Sequence, residues 1–227
     1  MMNSSKTFIT PHAHIHRFAL GPMQNFVYAI QPTLRGRLAL VDPAWEPQKL
    51  LDLADLWQQP ITDIILTHHH DDHRNAVGAI LAKFPARVHV NKHDKPWLKG
   101  SGFEVDLVLH DAGDAVELGG GASVKLIHTP GHTPGSQCLE IAGNLLTGDT
   151  MFIDGCGRCD LPGGDPQTMY QSLLTILQDL DGHTHVLPGH DYAPMPTATL
   201  AQQRNTNPYL QFSTMADFVA YRMRPRK

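Results

Sequence analysis

Four side chains with metal-binding chemistry fall within six consecutive residues: His68, His70, Asp72 and His73. They follow an apolar run, 61–66, that has the composition of a buried strand. Alternate residues of an extended segment point the same way, so His68 and His70 can converge on one ion. Asp72 and His73 lie where the chain should turn into a helix, and they can face a second ion close by. The spacing therefore predicts a centre for two metal ions rather than a solvated polar loop.

Three further ligand candidates follow later apolar segments of the chain, and they are His132, Asp149 and His190. A glycine directly precedes each of them, which would let the backbone pass close to a crowded centre. Each residue taken alone would usually be a capping or turn residue. Four such stretches, all placed at strand ends, favour one shared site.

The composition agrees with a metal-dependent protein and argues against other classes. Fifteen histidines among 227 residues are the outlier, whereas a net charge of −4 is unlike that of a nucleic-acid-binding protein. No run is long and apolar enough to span a bilayer, and Met1–Lys6 is not followed by the apolar core of a signal peptide. Three cysteines cannot all pair, so we expect a protein of the reducing cytoplasm, with no membrane or nucleic-acid partner.

The patterns that must position these residues change along the chain. Strands alternate with helices in the first part, at 26–30, 37–41, 46–59 (helix), 61–66, 76–84 (helix) and 87–90. From about 104 to 148, short strands separated by Gly and Asp predict a second, mostly antiparallel sheet, with Glu104–His110 as its first strand.

Helical patterns return in the last third of the chain. Asp165 as cap and Pro166 as first residue predict a helix that ends at Gly182. A buried strand is expected at 185–187, and 197–222 is predicted to be helical around Pro208. Helices at both ends with two groups of strands between them predict a two-sheet α/β sandwich, formed by residues 1–227 as a single domain.

The complete motif set resembles the metallo-β-lactamase superfamily, because His-x-His-x-Asp-His is followed by Gly-His, Gly-Asp and Gly-His. The resemblance covers nearly the whole chain. It implies a four-layer αββα sandwich with the active site at one edge of the two sheets. It also implies how the ligands are divided: His68, His70 and His132 on the first ion, Asp72, His73 and His190 on the second, and Asp149 as the bridge.

The chemistry implied by this resemblance is hydrolysis. Imidazole and carboxylate ligands suit two zinc ions, although iron or manganese would also accept them. Two ions sharing one water lower its pKa and present a bridging hydroxide to an acyl carbon. A thiolate leaves readily because its conjugate acid has a pKa of about 8.5, so an acyl thioester is an easy substrate. Asp72 and Asp149 are the catalytic candidates, both as ligands, and Asp72 could also orient the water.

The segment after the bridge resembles two branches of the superfamily, glyoxalase II and the persulfide dioxygenases. It contains Gly155-Cys156-Gly157-Arg158, and a basic residue in the Arg158 position contacts the thiol carrier in those branches. Cys159-Asp160-Leu161 then stands where glyoxalase II has glutathione-binding aromatics. Asp160 is closer to the persulfide dioxygenases, which use one iron.

Three separate stretches of the chain resemble a third group, the stand-alone glyoxalase-II-like hydrolases of trans-acyltransferase polyketide pathways. The similar stretches are Val41–Glu46, Gly155–Gly157 and Phe218–Arg224. This resemblance implies that the thioester is carried by an acyl carrier protein. The leading hypothesis is a hydrolase of glutathione, coenzyme A or carrier-protein thioesters, and the alternatives are a mononuclear iron persulfide dioxygenase and a metal-free binding protein.

Several neighbouring residues have two interpretations. Arg158 is either a contact for the thiol carrier or a solvated arginine, and Tyr192 is either a substrate contact or a packing residue. Cys156 and Cys159 are expected in a loop beside the substrate entrance, because they do not open a helix as a redox motif would. His69 and Asp71 are out of phase with the ligands and should point away from the ions. The basic tail 222–227 is either a frayed terminus or a contact for an acidic carrier protein.

Overall fold

Two β-sheets packed face to face form the centre of the fold, in a computed structural model that describes residues 6–103 and 105–225. The first sheet has seven strands in sequential order: β1 (Lys6–Ile9), β2 (Ala13–Leu20), β3 (Asn25–Pro32), β4 (Leu38–Val41), β5 (Ile61–Ile65), β6 (Arg87–Asn91) and β7 (Leu107–His110). The second sheet has six strands in the order β15-β14-β11-β10-β9-β8. Their bounds are β8 (Ala115–Gly119), β9 (Ala122–His128), β10 (Gln137–Ile141), β11 (Asn144–Gly148), β14 (His185–Pro188) and β15 (Ala198–Thr199). A separate hairpin consists of β12 (Met151–Phe152) and β13 (Gly155–Cys156).

The inner faces of the two sheets share one hydrophobic core. Ile30 and Ile65 of the first sheet are fully buried in the same cluster as Leu126, Leu139 and Leu187 of the second. Alternate residues of each strand point to one face, so half of each strand supplies this core while the other half faces a helical layer.

Helices cover both outer faces and complete the four-layer αββα sandwich that the sequence predicted. The first sheet packs against α1 (Pro47–Leu56) and α2 (Val77–Lys83), and the second sheet packs against α3 (Pro166–Asp179), α4 (Leu200–Thr206) and α5 (Met215–Arg222). The α3 start is as predicted, because the Asp165 carboxylate accepts a hydrogen bond from the Thr168 N–H at 2.7 Å. Among the described residues, no helix combines the length and apolarity needed to cross a bilayer.

Four strands end at the edge of the sandwich where the predicted ligands lie. In the first sheet β5 runs parallel to β4 and β6, and in the second sheet β11 runs parallel to β14. Strand β9 points in the same direction as β11, because both are antiparallel to β10 between them. The segments that follow β5, β9, β11 and β14 are therefore brought to one edge.

Two predictions about elements need correction, and the first two strands were not predicted. Strands β1 and β2 precede the first predicted strand and form one side of the first sheet. Strand β7 belongs to the first sheet, where it pairs in parallel with β6, and not to the second sheet. The C-terminal region contains two separate helices with a short 3₁₀ turn at Pro208–Leu210 between them. The predicted features at Met1–Ser5, Glu104 and Arg226–Lys227 lie outside the described residues.

Two remaining expectations concern cysteines and the C-terminal tail. All three cysteines are buried, and none of them forms a disulfide with another described residue. Arg222, the first residue of the basic tail, is 5% exposed and ends α5. It is therefore not part of a frayed terminus. Its guanidinium is held inside the protein because it hydrogen-bonds the backbone of a loop near the predicted ligands.

Candidate metal centre

The first group of ligand candidates contains His68, His70 and His132, whose ligand atoms lie within 4.8 Å of one another. His70 Nδ1 is 2.9 Å from His132 Nε2, and the His68 ring lies edge-on to both other rings. His68 and His70 follow β5, whereas His132 follows β9 in the other sheet. The predicted first trio is therefore assembled from both sheets.

The second group contains Asp72, His73 and His190, again within 4.8 Å. His73 Nε2 is 3.1 Å from His190 Nε2, and each of these nitrogens is 3.4 Å from Asp72 Oδ2. Asp72 and His73 are adjacent residues of a single 3₁₀ turn after β5, and the ligand atoms of both reach the second group. His190 joins them from the segment after β14.

Asp149 lies between the two groups and presents one carboxylate oxygen to each. Its Oδ1 is 3.3 Å from His73 Nε2, and its Oδ2 is 3.5 Å from His132 Nε2. The backbone that carries it is tightly packed, because a Cβ on Gly189 would lie 2.6 Å from Asp149 Oδ1. This close approach is the reason that was predicted for the glycine before His190.

The histidine rings are oriented by hydrogen bonds on their far nitrogens. His132 Nδ1 donates to the Arg158 carbonyl at 2.7 Å, and His190 Nδ1 donates to the Met23 carbonyl at 2.9 Å. His73 Nδ1 is 2.9 Å from Asp42 Oδ2. Such outer partners leave Nε2 as the free electron pair that faces the centre, which is the arrangement of metal-ligating histidines.

Asp42 is a functional residue that the sequence reasoning missed. It accepts hydrogen bonds from the Thr67 N–H at 2.7 Å and the Thr67 hydroxyl at 2.6 Å, besides its contact with His73. Asp42 is close enough to His68 and His73 to be a ligand itself, but its oxygens are already engaged. We therefore assign it to the support of His73. The available signal was an acidic residue directly after a strand next to β5.

Asp94 and Asn25 are two further supports without a recognised sequence signal. The fully buried Asp94 carboxylate lies 3.1 Å from His69 Nδ1 and accepts from the Thr133 hydroxyl at 2.9 Å. It thus joins the loop after β5 to the loop after β9. Asn25 donates to Asp72 Oδ2 at 3.0 Å and fixes that oxygen within the second group. Both residues are far from the ligands in sequence, so spacing could not reveal them.

The residues that were expected to point away from the centre do so. His69 stacks on Trp97 with ring centroids 5.0 Å apart, and its Nδ1 faces Asp94. The Asp71 side chain is 83% exposed and forms an ion pair with Arg74.

The electrostatics of the two groups differ. Burial alone would lower the pKa of His190, but the nearby carboxylates of Asp149 and Asp72 outweigh it and raise that pKa to about 9. Burial and the neighbouring His132 lower the pKa of His70 to about 4. The two carboxylates therefore favour positive charge on their side of the centre, whereas the imidazoles of the first group remain neutral electron-pair donors.

The donor set fits metal ions. His68 Nε2 and Asp149 Oδ1 are buried with no hydrogen-bond partner in the described part of the chain. Unpaired buried polar atoms are costly and need an explanation. Cations held by convergent imidazole nitrogens and carboxylate oxygens would satisfy both atoms.

A cavity of about 420 Å³ opens over the centre and contains both predicted substrate contacts. Tyr192 is 56% exposed and stacks on the His190 ring at a centroid distance of 4.5 Å, so it packs on a ligand candidate and lines the cavity. Arg158 is half exposed and is held by two 2.9 Å hydrogen bonds to Asp160. Cys156 also lines this cavity, but it belongs to strand β13 and not to the loop that was expected.

The fold and the centre together define a class: an αββα sandwich with a His/Asp centre for metal at one edge of its two sheets. The chain matches the model of the Metallo-beta-lactamase superfamily over residues 20–190. This match covers most of the chain, and the protein belongs to the metallo-β-lactamase superfamily.

Two curated proteins and one solved structure illustrate what the chain is similar to, and both curated proteins carry hydrolase names. The chain is 29% identical to the probable polyketide biosynthesis zinc-dependent hydrolase PksB of Bacillus subtilis (strain 168), over 88% of each chain. It is 39% identical to a hydroxyacylglutathione hydrolase of Anaeromyxobacter dehalogenans (strain 2CP-C), with 74% of this chain aligned and only 62% of that relative spanned. The crystal structure of ETHE1 from Myxococcus xanthus superposes with a TM-score of 0.82 at 25% identity, covering 94% of this chain and 92% of that one.

Proposed function

We propose that the protein is a metal-dependent hydrolase of acyl thioesters with two zinc ions. His68, His70 and His132 would hold one ion, Asp72, His73 and His190 the other, and Asp149 both. When bound, the ions would supply a hydroxide at neutral pH and a Lewis acid for the acyl oxygen. The observation that carries this proposal is the placement of Asp149, whose two oxygens face two separate groups of donors.

The protein's own residues would position the reacting groups. Asp72 lines the cavity while Asn25 holds its Oδ2, so it is placed to orient a water against the substrate. The ring of Tyr192 and the side chains of Phe152 and Leu161 form an apolar wall for the acyl group or the thiol arm. Arg158 lines the same cavity and would be the contact for the thiol carrier.

An acyl carrier protein is the carrier we favour, ahead of glutathione. PksB is named as a polyketide biosynthesis hydrolase and is spanned over 88% of its length, whereas the hydroxyacylglutathione hydrolase is spanned over 62%. In addition, Arg158 is already paired with Asp160, which weakens its attraction for the carboxylates of glutathione. We propose the cytoplasm as the compartment.

The test combines metal content with a panel of substrates. Protein purified without added metal should contain two equivalents of zinc and should hydrolyse acyl groups on carrier protein, coenzyme A or glutathione. His70→Ala and Asp149→Ala should each lower kcat/KM by more than 100-fold, while Asp71→Asn in the same loop should leave it unchanged. A protein that binds two ions but cleaves none of the thioesters would contradict the proposal.

A mononuclear iron persulfide dioxygenase is the second candidate, and the similarity to ETHE1 favours it. It predicts one equivalent of iron and consumption of oxygen when glutathione persulfide is added. Metal stoichiometry separates the two candidates before any substrate is tried.

A further inference from the structure

The helix α5 contacts the loop beside the metal-ligand candidates through Arg222. This residue ends α5 and is only 5% exposed. Its Nε donates a hydrogen bond to the Gly157 carbonyl at 2.8 Å. Helix α5 is anchored in the outer hydrophobic cluster by Phe218, which is fully buried. Arg222 therefore joins a well-packed helix to the loop that follows β13.

The carbonyl next to this contact belongs to Arg158, and it orients one of the metal-ligand candidates. The Arg158 carbonyl accepts the His132 Nδ1–H at 2.7 Å. Two consecutive carbonyls of one loop are thus held by different partners, one by α5 and the other by a ligand candidate of the first group. Movement of the first peptide unit must change the direction of the second.

The loop has little room to adjust on its ligand side. A Cβ placed on Gly157 would collide with the Asp149 carbonyl and lie 3.2 Å from His132 Cγ. The peptide at Gly157 is therefore packed tightly against the Asp149 backbone and lies close to the His132 ring. A fixed anchor on the Gly157 carbonyl would then restrict where the Arg158 carbonyl points.

We propose that Arg222 is a positioning residue for the first metal site, acting through the Gly157–Arg158 backbone on His132. The inference rests on the proposed metal centre and does not depend on the substrate. A guanidinium N–H bond to a carbonyl is charge-assisted and directional, so it can hold the loop in one place. With the Arg158 carbonyl in place, His132 keeps its proton on Nδ1 and presents Nε2 to the ion.

The experiment measures metal affinity site by site, independently of catalysis. Zinc or cobalt is titrated into metal-free protein against a chelator, and the cobalt absorption spectrum reports the geometry of each site. His132→Ala identifies the step that belongs to the first site. Arg222→Met should weaken that same step by about 10–100-fold, the usual effect of losing an outer partner, and should leave the other step within about threefold.

Two further variants make the result specific. Arg222→Lys should also weaken the first site, because a carbon replaces the donor nitrogen at the Nε position, and it covers the case in which Arg222→Met does not fold. Arg224→Met is the matched control, since this exposed arginine lies over the Tyr221 ring at 3.8 Å and should leave both affinities unchanged.

A double-mutant cycle separates positioning from general stability. If Arg222 acts through His132, adding Arg222→Met to His132→Ala should cause little further loss of affinity. Wild-type affinities and cobalt spectrum in a less stable Arg222→Met protein would overturn the inference, as would equal weakening of both sites. Failure to cleave thioesters would instead overturn the proposed function and leave this result standing.

Discussion

At the scale of single residues, the direction of each ring nitrogen decides what the centre can bind. His70 faces His132 with its Nδ1, whereas His73, His132 and His190 turn their Nε2 atoms inward. Backbone carbonyls and Asp42 hold the outer nitrogens, so the inward electron pairs are available without rearrangement. Preorganisation of this kind lowers the cost of binding an ion and of positioning a water.

The first prediction concerns Gly157, where a single methyl group tests the packing of the site. Gly157→Ala places a Cβ against the Asp149 carbonyl and near the His132 ring, so the loop or the ligands must shift. A displacement of about 1 Å in such a site can cost about 100-fold in rate. We expect kcat/KM for the best thioester to fall by about that factor, with loss of bound metal by elemental analysis.

Gly155→Ala is the matched control for this prediction. A Cβ at Gly155 would be 3.4 Å from Phe152 Cβ, which is ordinary van der Waals contact. The control should keep full metal content and activity, so equal losses in the two variants would contradict the explanation by close packing.

At the scale of elements, buried polar clusters tie together the strands that carry the ligands. Asp63 of β5 is completely buried and receives hydrogen bonds from Arg87 and His89 of β6, from Thr62, and from Arg37 next to β4. This cluster is built on the middle residue of β5, the strand that leads into the histidine loop. It therefore fixes the strand from which His68 and His70 project.

The second prediction is that Asp63 contributes to stability in a defined pH window. Burial alone would raise its pKa, but the hydrogen bonds from His89, Thr62 and Arg87 outweigh burial and lower it to about 2, from an ordinary value of 3.8. A lowered pKa in the folded state means that this stabilisation is complete above about pH 4 and is lost as the pH falls to about 2. The difference corresponds to about 2 kcal/mol.

Urea denaturation as a function of pH checks this prediction. Asp63→Asn should lower the free energy of unfolding by about 2 kcal/mol at pH 7 and should flatten its decline between pH 4 and pH 2. Asp55→Asn, which removes an exposed ion pair with Lys83, should change it by less than about 1 kcal/mol. An Asp63→Asn protein with the wild-type pH profile would refute the assignment.

The third prediction concerns Asp94, which joins two ligand loops from different sheets. Besides its contacts with His69 and Thr133, it accepts from the Gly135 N–H at 2.6 Å. Asp94→Asn replaces one acceptor oxygen with a donor, so one of these bonds must be lost inside the protein. We expect zinc affinity to fall by about 10-fold or more, whereas Asp114→Asn on the exposed surface should not change it.

Element prediction succeeded where a pattern is local and failed where the partner is distant. The Asp165 cap of α3 and the strand ends that carry the ligands follow from adjacent residues. The sheet to which β7 belongs does not follow from adjacent residues. A connection of fifteen residues, 92–106, separates β7 from β6, and β-pairing is a tertiary choice. Strand β2 was missed because His14 and His16 interrupt its apolar pattern.

At the scale of the whole molecule, the centre lies at the seam between the two sheets. The loop after β5 supplies four ligand candidates from the first sheet, and the segments after β9, β11 and β14 supply three from the second. All seven could be predicted from the sequence because each follows a strand and resembles a known motif. Asp94 and Arg222 could not be found in this way, since their contacts exist only once distant segments have packed together, and the one signal for Asp42 was its place directly after a strand.

The last prediction follows from this shared origin of the ligands: bound ions should cross-link the two halves of the sandwich and stabilise the entire fold. An ion that binds only the folded state adds about 2.7 kcal/mol at 100 times its Kd, and for a chain of this length each kcal/mol corresponds to about 2–4 °C in Tm. Removing metal with a chelator should therefore lower Tm by roughly 5–10 °C, and zinc should restore it. Asp149→Ala, which removes the carboxylate between the two groups, should lose most of this response, whereas Asp71→Asn should keep it. A wild-type Tm that is the same with zinc and with chelator would show that the seven side chains do not hold ions between the sheets.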